Sequence, residues 1–303
     1  MSRIKCVERD VPGLRLAIAA DEDSTEIDSL LALPLSELRV RPGVEVLRDR
    51  EQAWVLRIER PGRPALYWKE FGARDAFDDF KEFWRPSKAA RAWEGAERLQ
   101  ALGIATAKPV ARGEAPRGNP FRHRRSFMVT EEIADAEGLN EFLWYMPERD
   151  SGPSARWRHD LMRLIGRTVG RMHNGGFFHG DLRPSNTLCR HGKEGPEIFF
   201  IDTDRVLPRR LPGLRDAVHN LMQVSFFFAP NYSFTDRLRF LDAYARERGF
   251  DAVTRRRLIA WTADWVYRRT RRRLAKRSTS REKILAQMHL FLERMERRRV
   301  TRR

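Results

Sequence analysis

The chain has 303 residues, 41% of them hydrophobic and 10% aromatic, enough to bury one large or two modest cores, which excludes wholesale disorder. Its 59 Lys and Arg against 42 Asp and Glu leave a formal charge of +17, and with only eight lysines the 51 arginines point to an anionic partner. Residues 252–303 hold 18 Arg and Lys against 4 Asp and Glu, so nearly all of the excess sits in the last sixth of the chain.

Two cysteines far apart in sequence, Cys6 and Cys189, exclude a disulfide framework and a Cys-based zinc site within one chain, and fit a reducing cytoplasm. The opening MSRIKCVERDVPGLRLAIAADED has no long apolar run with a cleavage site and is not expected to be a signal peptide. The most apolar later segment, LMQVSFFFAP at 221–230, is about half of the roughly 20 residues that cross a bilayer. Any membrane contact is therefore expected to be peripheral.

From Leu38 to Gly72 the pattern predicts a small antiparallel sheet, with VEVLRDREQAWVLRIE and RPALYWKEF as β-rich runs separated by Pro61-Gly62. KAARAWEGAERLQAL then repeats apolar residues at helical spacing and closes at Gly103. Residues 104–113 and 126–133 read as two further strands around the Pro- and Arg-rich loop 115–125. Beyond Glu132 the pattern turns helical, with a Ser-Gly-Pro-Ser linker at 151–154, a long amphipathic helix to Gly176, and more helix from Leu214. The expectation is an α+β, bilobal chain, with an N-terminal lobe over 1–132, beginning in an N-terminal extension, and a mainly helical lobe over 133–303. Trp261 and Trp265 recur with Leu258 at helical spacing and are expected in the core of the last helices, with membrane contact as the alternative.

The most informative octet is His179-Gly180-Asp181-Leu182-Arg183-Pro184-Ser185-Asn186. His-x-Asp followed by Asn is the spacing of a phosphotransferase catalytic loop. A carboxylate beside an incoming hydroxyl orients it and accepts its proton, the task assigned to Asp181, while a nearby side-chain carbonyl, that of Asn186, holds a metal ion. The run IFFI ends in Asp202, a carboxylate at a strand exit suited to Mg²⁺, with Asp204 in reserve. Lys69, inside the apolar run ALYWKEF, is placed to hold nucleotide phosphates. Arg183 could offset charge on the transferred phosphate, His179 braces the loop, and backbone groups of Glu131, Glu132 and Ile133 could meet an adenine edge. His173 and His179 read as structural hydrogen-bonders rather than metal ligands.

These pieces, YWKEF, SKAARAW with RLQALGIATAKPVA, SFMVTEEI, RMHNGGFFHGDLRPSNTL, IDTDR and SFTDRLRFLDAYAR, come in one order over about Val44 to Tyr244. In that order they resemble the Kdo/WaaP family of lipopolysaccharide kinases. The resemblance implies a protein-kinase-like fold: a small antiparallel β N-lobe with one helix and a mainly helical C-lobe. It implies an ATP- and Mg²⁺-dependent kinase acting on a Kdo or heptose hydroxyl of the lipopolysaccharide core or lipid A precursor. Lys69 then matches the nucleotide lysine, Asp181 the base, and Asn186 and Asp202 the metal ligands.

Two departures stand out. Where the family places a helix glutamate to pair with the lysine, this chain has Ala92 before Trp93, and Glu97 or Glu94 is a candidate substitute. The nucleotide-covering segment LRDREQAW, 47–54, lacks glycine, and Arg48 or Arg50 could contribute instead. The basic C-terminal helices are expected to hold the enzyme on an anionic membrane surface, at the cytoplasmic face of the bacterial inner membrane. Two alternatives are a small-molecule kinase resembling aminoglycoside phosphotransferases and a non-catalytic phosphate- or nucleic-acid-binding module. The basic C-terminus argues against the first, and intact Lys69, Asp181, Asn186 and Asp202 argue against the second, and with it against nucleic acid as the partner.

Overall fold

A computed structural model describes residues 4–22, 24–31, 33, 35–50, 53–72, 80, 82–118, 124–145, 154–209, 213–225, 232–275, 286, 288, 289, 292 and 293. Residues 151–153 of the expected linker, 226–230 of the apolar decapeptide and the arginine run 294–303 lie outside the described residues. The chain divides into two compact units, Met1–Ala134 with Asp202–Val206, and Asp135–Ile201 with Leu207–Arg303. Asp202 thus groups with the first unit, although its sequence position lies within the expected second lobe.

The first unit is built on seven antiparallel strands: β1 (Cys6–Val11), β2 (Leu14–Ala19), β3 (Val44–Arg50), β4 (Ala53–Arg60), β5 (Arg63–Phe71), β6 (Pro109–Glu114) and β7 (Ser126–Glu131). Their spatial order is β1-β2-β6-β7-β5-β4-β3. The sixteen residues VEVLRDREQAWVLRIE are not one run but a hairpin, β3 paired with β4, with a register shift between Val46 and Arg48. A bulge of this kind bends the strand and re-aims its side chains.

Period-2 alternation assigns the faces of β5. Leu66 and Trp68 are buried on one side, where Trp68 stacks on Phe127 with ring centroids 4.4 Å apart. The N-terminal residues, expected only as an extension, complete the sheet with β1 and β2. Helices α1 (Ser24–Leu31) and α2 (Leu35–Leu38) add Ile27, Leu30 and Leu38 to the same cluster. On the other face stand Tyr67, Lys69 and Phe71. Phe71 packs with Met128 and with Ala89 and Ala92 of helix α3 (Lys88–Ala101). The Ser87 hydroxyl caps α3 by accepting from the Ala90 N–H at 3.0 Å.

The second unit begins with β8 (Glu137–Gly138), α4 (Leu139–Tyr145) and α5 (Ser154–Asn174). β9 (Phe177–His179), β10 (Thr187–Gly192), β11 (Gly195–Phe200) and β12 (Val206–Pro208) follow, then α6 (Leu214–Ser225), α7 (Phe234–Glu247) and α8 (Ala252–Ala275). Helix α5 buries Leu161, Ile165, Val169 and Met172 completely. It meets α7 at Gly166 and Gly170: a Cβ on Gly166 would lie 2.3 Å from the Phe240 carbonyl oxygen, so only glycine permits that approach. α7 starts with a reciprocal capping box, Ser233 Oγ accepting from the Asp236 N–H at 3.1 Å and Asp236 Oδ2 from the Ser233 N–H at 3.0 Å.

In α8 the outcome differs from the expectation. Leu258 is fully buried, but Trp261 and Trp265 are 43% and 50% exposed. The buried side is instead made by Leu258, Thr262, Val266, Tyr267 and Thr270, and the tryptophans face away from it.

Candidate active site

In the first unit the candidate cation Lys69 is held centrally by pairing of β5 with β4 and β7, opposite Val55 and Met128. Its ammonium forms an ion pair with Asp202 and lies 5.0 Å from the centre of the Phe71 ring. Glu97 does not take this role: its Oε1 accepts from the Ile4 N–H at 3.0 Å and the Trp93 indole N–H at 3.2 Å. Glu94 accepts from Arg98 at 2.8 Å. The sequence candidates for the lysine partner thus anchor other parts of the unit.

Ala92, where the family's glutamate would stand, is 4% exposed and packs with Phe71 and Met128. Asp202 is a left-handed residue with φ 58° and ψ 49°, and it opens a tight turn over Thr203–Arg205. The Thr203 hydroxyl donates to the Ala92 carbonyl at 2.6 Å, and a Cβ on Gly95 would lie 2.1 Å from the Thr203 carbonyl oxygen. Arg98 closes the contact by donating to the Val206 carbonyl at 2.8 Å. Helix α3 therefore lies directly on the backbone of residues 203–206, and this turn fixes a non-glycine left-handed residue at Asp202. Burial raises the Asp204 carboxyl, an effect opposed by Lys69 and strengthened by Asp202.

Along the end of β7, the Glu131 N–H donates to the Lys108 carbonyl at 2.9 Å and the Glu132 N–H to the Ala65 carbonyl at 2.8 Å. Both amide protons are consumed within the unit, which leaves carbonyls and Ile133 for any adenine. The side chains are committed as well. Glu132 receives Arg57 through two bonds of 2.8 and 2.9 Å, which holds its carboxyl below the usual range. Glu131 accepts from the buried Arg60 at 3.2 Å. In the β3–β4 hairpin, the candidate nucleotide-covering segment, Arg48 is exposed, and residues 51 and 52 lie outside the described residues, as does the side chain of Arg50.

In the second unit the catalytic-loop candidates come together. Arg183 Nη2 donates to Asp181 Oδ2 at 2.6 Å. Asn186 lies in a short turn opened by Pro184, 5% exposed, and its Nδ2 donates to the Asp181 backbone carbonyl at 2.9 Å. With the amide nitrogen so occupied, the Asn186 Oδ1 is the end of the side chain left as a ligand oxygen. His179 is fully buried and bonded within the loop. Its Nδ1 accepts the Asp181 N–H at 3.2 Å, so its Nε2 carries the proton and donates to the Ile201 carbonyl at 3.2 Å. Ile201, the residue before Asp202, also donates its N–H to the Asn186 carbonyl at 3.0 Å.

The sequence reading missed what holds this loop from behind. On α6, the Asn220 amide donates to the His179 carbonyl and, at 2.9 Å, to Gln223 Oε1. Gln223 accepts the Leu182 N–H at 3.0 Å and donates to the Gly180 carbonyl at 3.2 Å. Asn220 Oδ1 meets His173 Nε2 at 3.0 Å, His173 Nδ1 meets the Tyr244 hydroxyl at 2.8 Å, and Arg248 donates to that hydroxyl at 3.0 Å. Burial depresses the His173 pKa to about 4, so the ring is neutral. The donors then run one way, from Arg248 through Tyr244, His173 and Asn220 to the loop carbonyls. A visible signal did exist: Asn220 is a polar residue on the apolar stripe Ala217, Val218, Leu221 and Val224.

A seven-stranded antiparallel unit carrying a lysine–aspartate pair, and a helical unit carrying an Asp181–Asn186 loop, define a kinase with a protein-kinase-like fold. The amicoumacin kinase hAmiN, solved with AMP-PNP, Ca²⁺ and Ami, shares that fold with a TM-score of 0.51 at 14% identity, over 91% of this chain and 96% of its own. The sequence profile of the lipopolysaccharide kinase (Kdo/WaaP) family matches residues 44–244, and the chain belongs to that family. It is 32% identical over 195 residues to the lipopolysaccharide core heptose(I) kinase WaaP of Pseudomonas aeruginosa, 61% of this chain and 70% of that protein. A structure of WaaP in complex with acyl carrier protein superposes with a TM-score of 0.57 at 26% identity, covering 80% of this chain and 92% of that one.

Proposed function

We propose that the chain transfers the γ-phosphoryl group of ATP to a sugar hydroxyl, Kdo or heptose, of a lipopolysaccharide core or lipid A precursor. The observation that carries this reading is the catalytic loop, where the Asp181 carboxylate is steered by Arg183 and the Asn186 amide is oriented by the Asp181 carbonyl. Asp181 orients the acceptor hydroxyl and takes its proton, and Arg183 offsets charge on the transferred group. Lys69 holds nucleotide phosphates, and the Glu131 carbonyl and Ile133 backbone meet the adenine edge. Asn186 Oδ1 and the Asp202 carboxylate are hard oxygen donors of the kind that would hold Mg²⁺. When bound, Mg²⁺ would neutralise phosphate charge.

Among the described residues no helix is long and apolar enough to cross a membrane. The arginine-rich C-terminal part is proposed to place the enzyme peripherally on anionic lipid at the cytoplasmic face of the inner membrane, where a lipid-linked sugar would be met. Incubating the protein with ATP, Mg²⁺ and defined lipid A or core precursors tests the reaction directly. A gain of one phosphate by mass spectrometry is expected, lost with Asp181→Asn by orders of magnitude while nucleotide binding persists. Undiminished turnover in that variant would sink the assignment of Asp181.

A further inference from the structure

Helix α8 carries two unlike apolar sides. One is its buried seam, in which Val266 and Tyr267 pack with Met222 and Met288. The other shows water two of the largest apolar side chains, Trp261 and Trp265, at 43% and 50% exposure. Half-exposed indoles one helical turn apart forgo a large hydrophobic gain, and a surface that leaves them so has a use for them.

What flanks them is basic. Arg257 lies four residues before Trp261, and Arg268 and Arg272 lie three and seven after Trp265. At 3.6 residues per turn these five positions form one stripe about 22 Å long. The helix holds eight arginines and a single carboxylate, Asp264, which pairs with Arg268. Arg255 pairs with Asp242 at 2.9 Å, outside the stripe.

We propose that the Trp261–Trp265 stripe of α8 docks on an anionic bilayer surface, its indoles at headgroup depth and Arg257 and Arg272 on lipid phosphates. Indoles with an apolar body and one N–H donor suit the boundary between acyl chains and headgroups, and a line of cations suits an anionic leaflet. A second copy of the chain is the poorer occupant, because self-complementary pairing of this face would set arginine against arginine. The inference rests on the membrane placement proposed above and is independent of the phosphotransfer chemistry.

The test is sedimentation of the full chain with phosphatidylglycerol-containing vesicles, against phosphatidylcholine vesicles, at physiological salt. Wild type should bind the anionic vesicles, and brominated lipid should quench its indole fluorescence. Trp261→Ala with Trp265→Ala should weaken vesicle partitioning about tenfold or more, as should Arg257→Glu with Arg272→Glu, with unchanged thermal midpoint and unchanged vesicle-free ATP turnover. If the tryptophan pair variant binds as wild type does, the stripe is overturned while membrane placement through other arginines stands. If wild type ignores anionic vesicles, both are overturned. Self-association or RNA binding that vanishes in the tryptophan variant, without vesicle binding, would reassign the face to a second copy or to nucleic acid.

Discussion

The Thr203 hydroxyl donates to the Ala92 carbonyl at 2.6 Å, joining two residues 111 positions apart in sequence. This bond fastens the turn that carries Asp202 to helix α3, and the same turn lies so close to the helix that a Cβ on Gly95 would be 2.1 Å from the Thr203 carbonyl oxygen. With Glu97 and Glu94 of that helix bonded elsewhere, Lys69 pairs with Asp202 of the turn.

Gly95→Ala should destabilise the protein by about 1–3 kcal/mol, because the new Cβ meets backbone rather than a side chain that could move aside. Thr203→Val should cost about 1 kcal/mol through the lost hydrogen bond. Urea unfolding with an unchanged slope checks both, and Gly118→Ala, where a Cβ meets nothing within 4 Å, serves as the neutral control.

Lys69→Met should reduce phosphoryl transfer by roughly a hundredfold or more while changing stability by less than about 0.5 kcal/mol. The ion pair it removes is partly exposed, with side chains 23% and 32% accessible, and solvent screens such pairs. Steady-state kinetics beside thermal unfolding separates the two effects, and a large loss of stability would show the lysine to be structural.

Asn220→Ala should strip a donor from the His179 carbonyl and an acceptor from His173, costing about 1–3 kcal/mol. Misplacing the loop should lower kcat on the order of a hundredfold with little change in the KM for ATP. Gln223→Ala, which frees the Leu182 N–H and Gly180 carbonyl, should do the same more mildly. Equal losses in kcat and nucleotide affinity would point to general unfolding instead.

His173 supplies a pH dependence of known sign. Its folded pKa is depressed by burial to about 4 from the ordinary imidazole value of 6.5, so between these values the unfolded chain binds the extra proton. Stability is therefore full above about pH 6.5 and falls as pH drops toward 4, by about 3 kcal/mol from this residue. His159 and His219 are depressed in the same direction by burial, so the comparison is with His173→Gln, whose unfolding free energy should fall less steeply over that window. Parallel profiles for the two proteins would refute the assignment.

The sequence by itself determined the pieces whose information is local. Spacing alone placed His179, Asp181 and Asn186 in one loop, an apolar run placed Asp202 at a strand exit, and the alternation and 3.6-residue periods located β5, β7, α3 and α5. It did not reveal that residues 6–38 complete the first unit, because two short hairpin strands and two short helices carry weak periodic signals until a sheet edge and an apolar face are there to receive them. Tertiary structure decided the rest. The partner of Lys69 lies 133 residues away, and no pattern near the lysine encodes it. Asn220, Gln223 and Tyr244 reach the loop from helices distant in sequence. The two sides of α8 share one helical period, so only the packing of Val266 and Tyr267 against Met222 and Met288 shows which side is core and which leaves Trp261 and Trp265 in water.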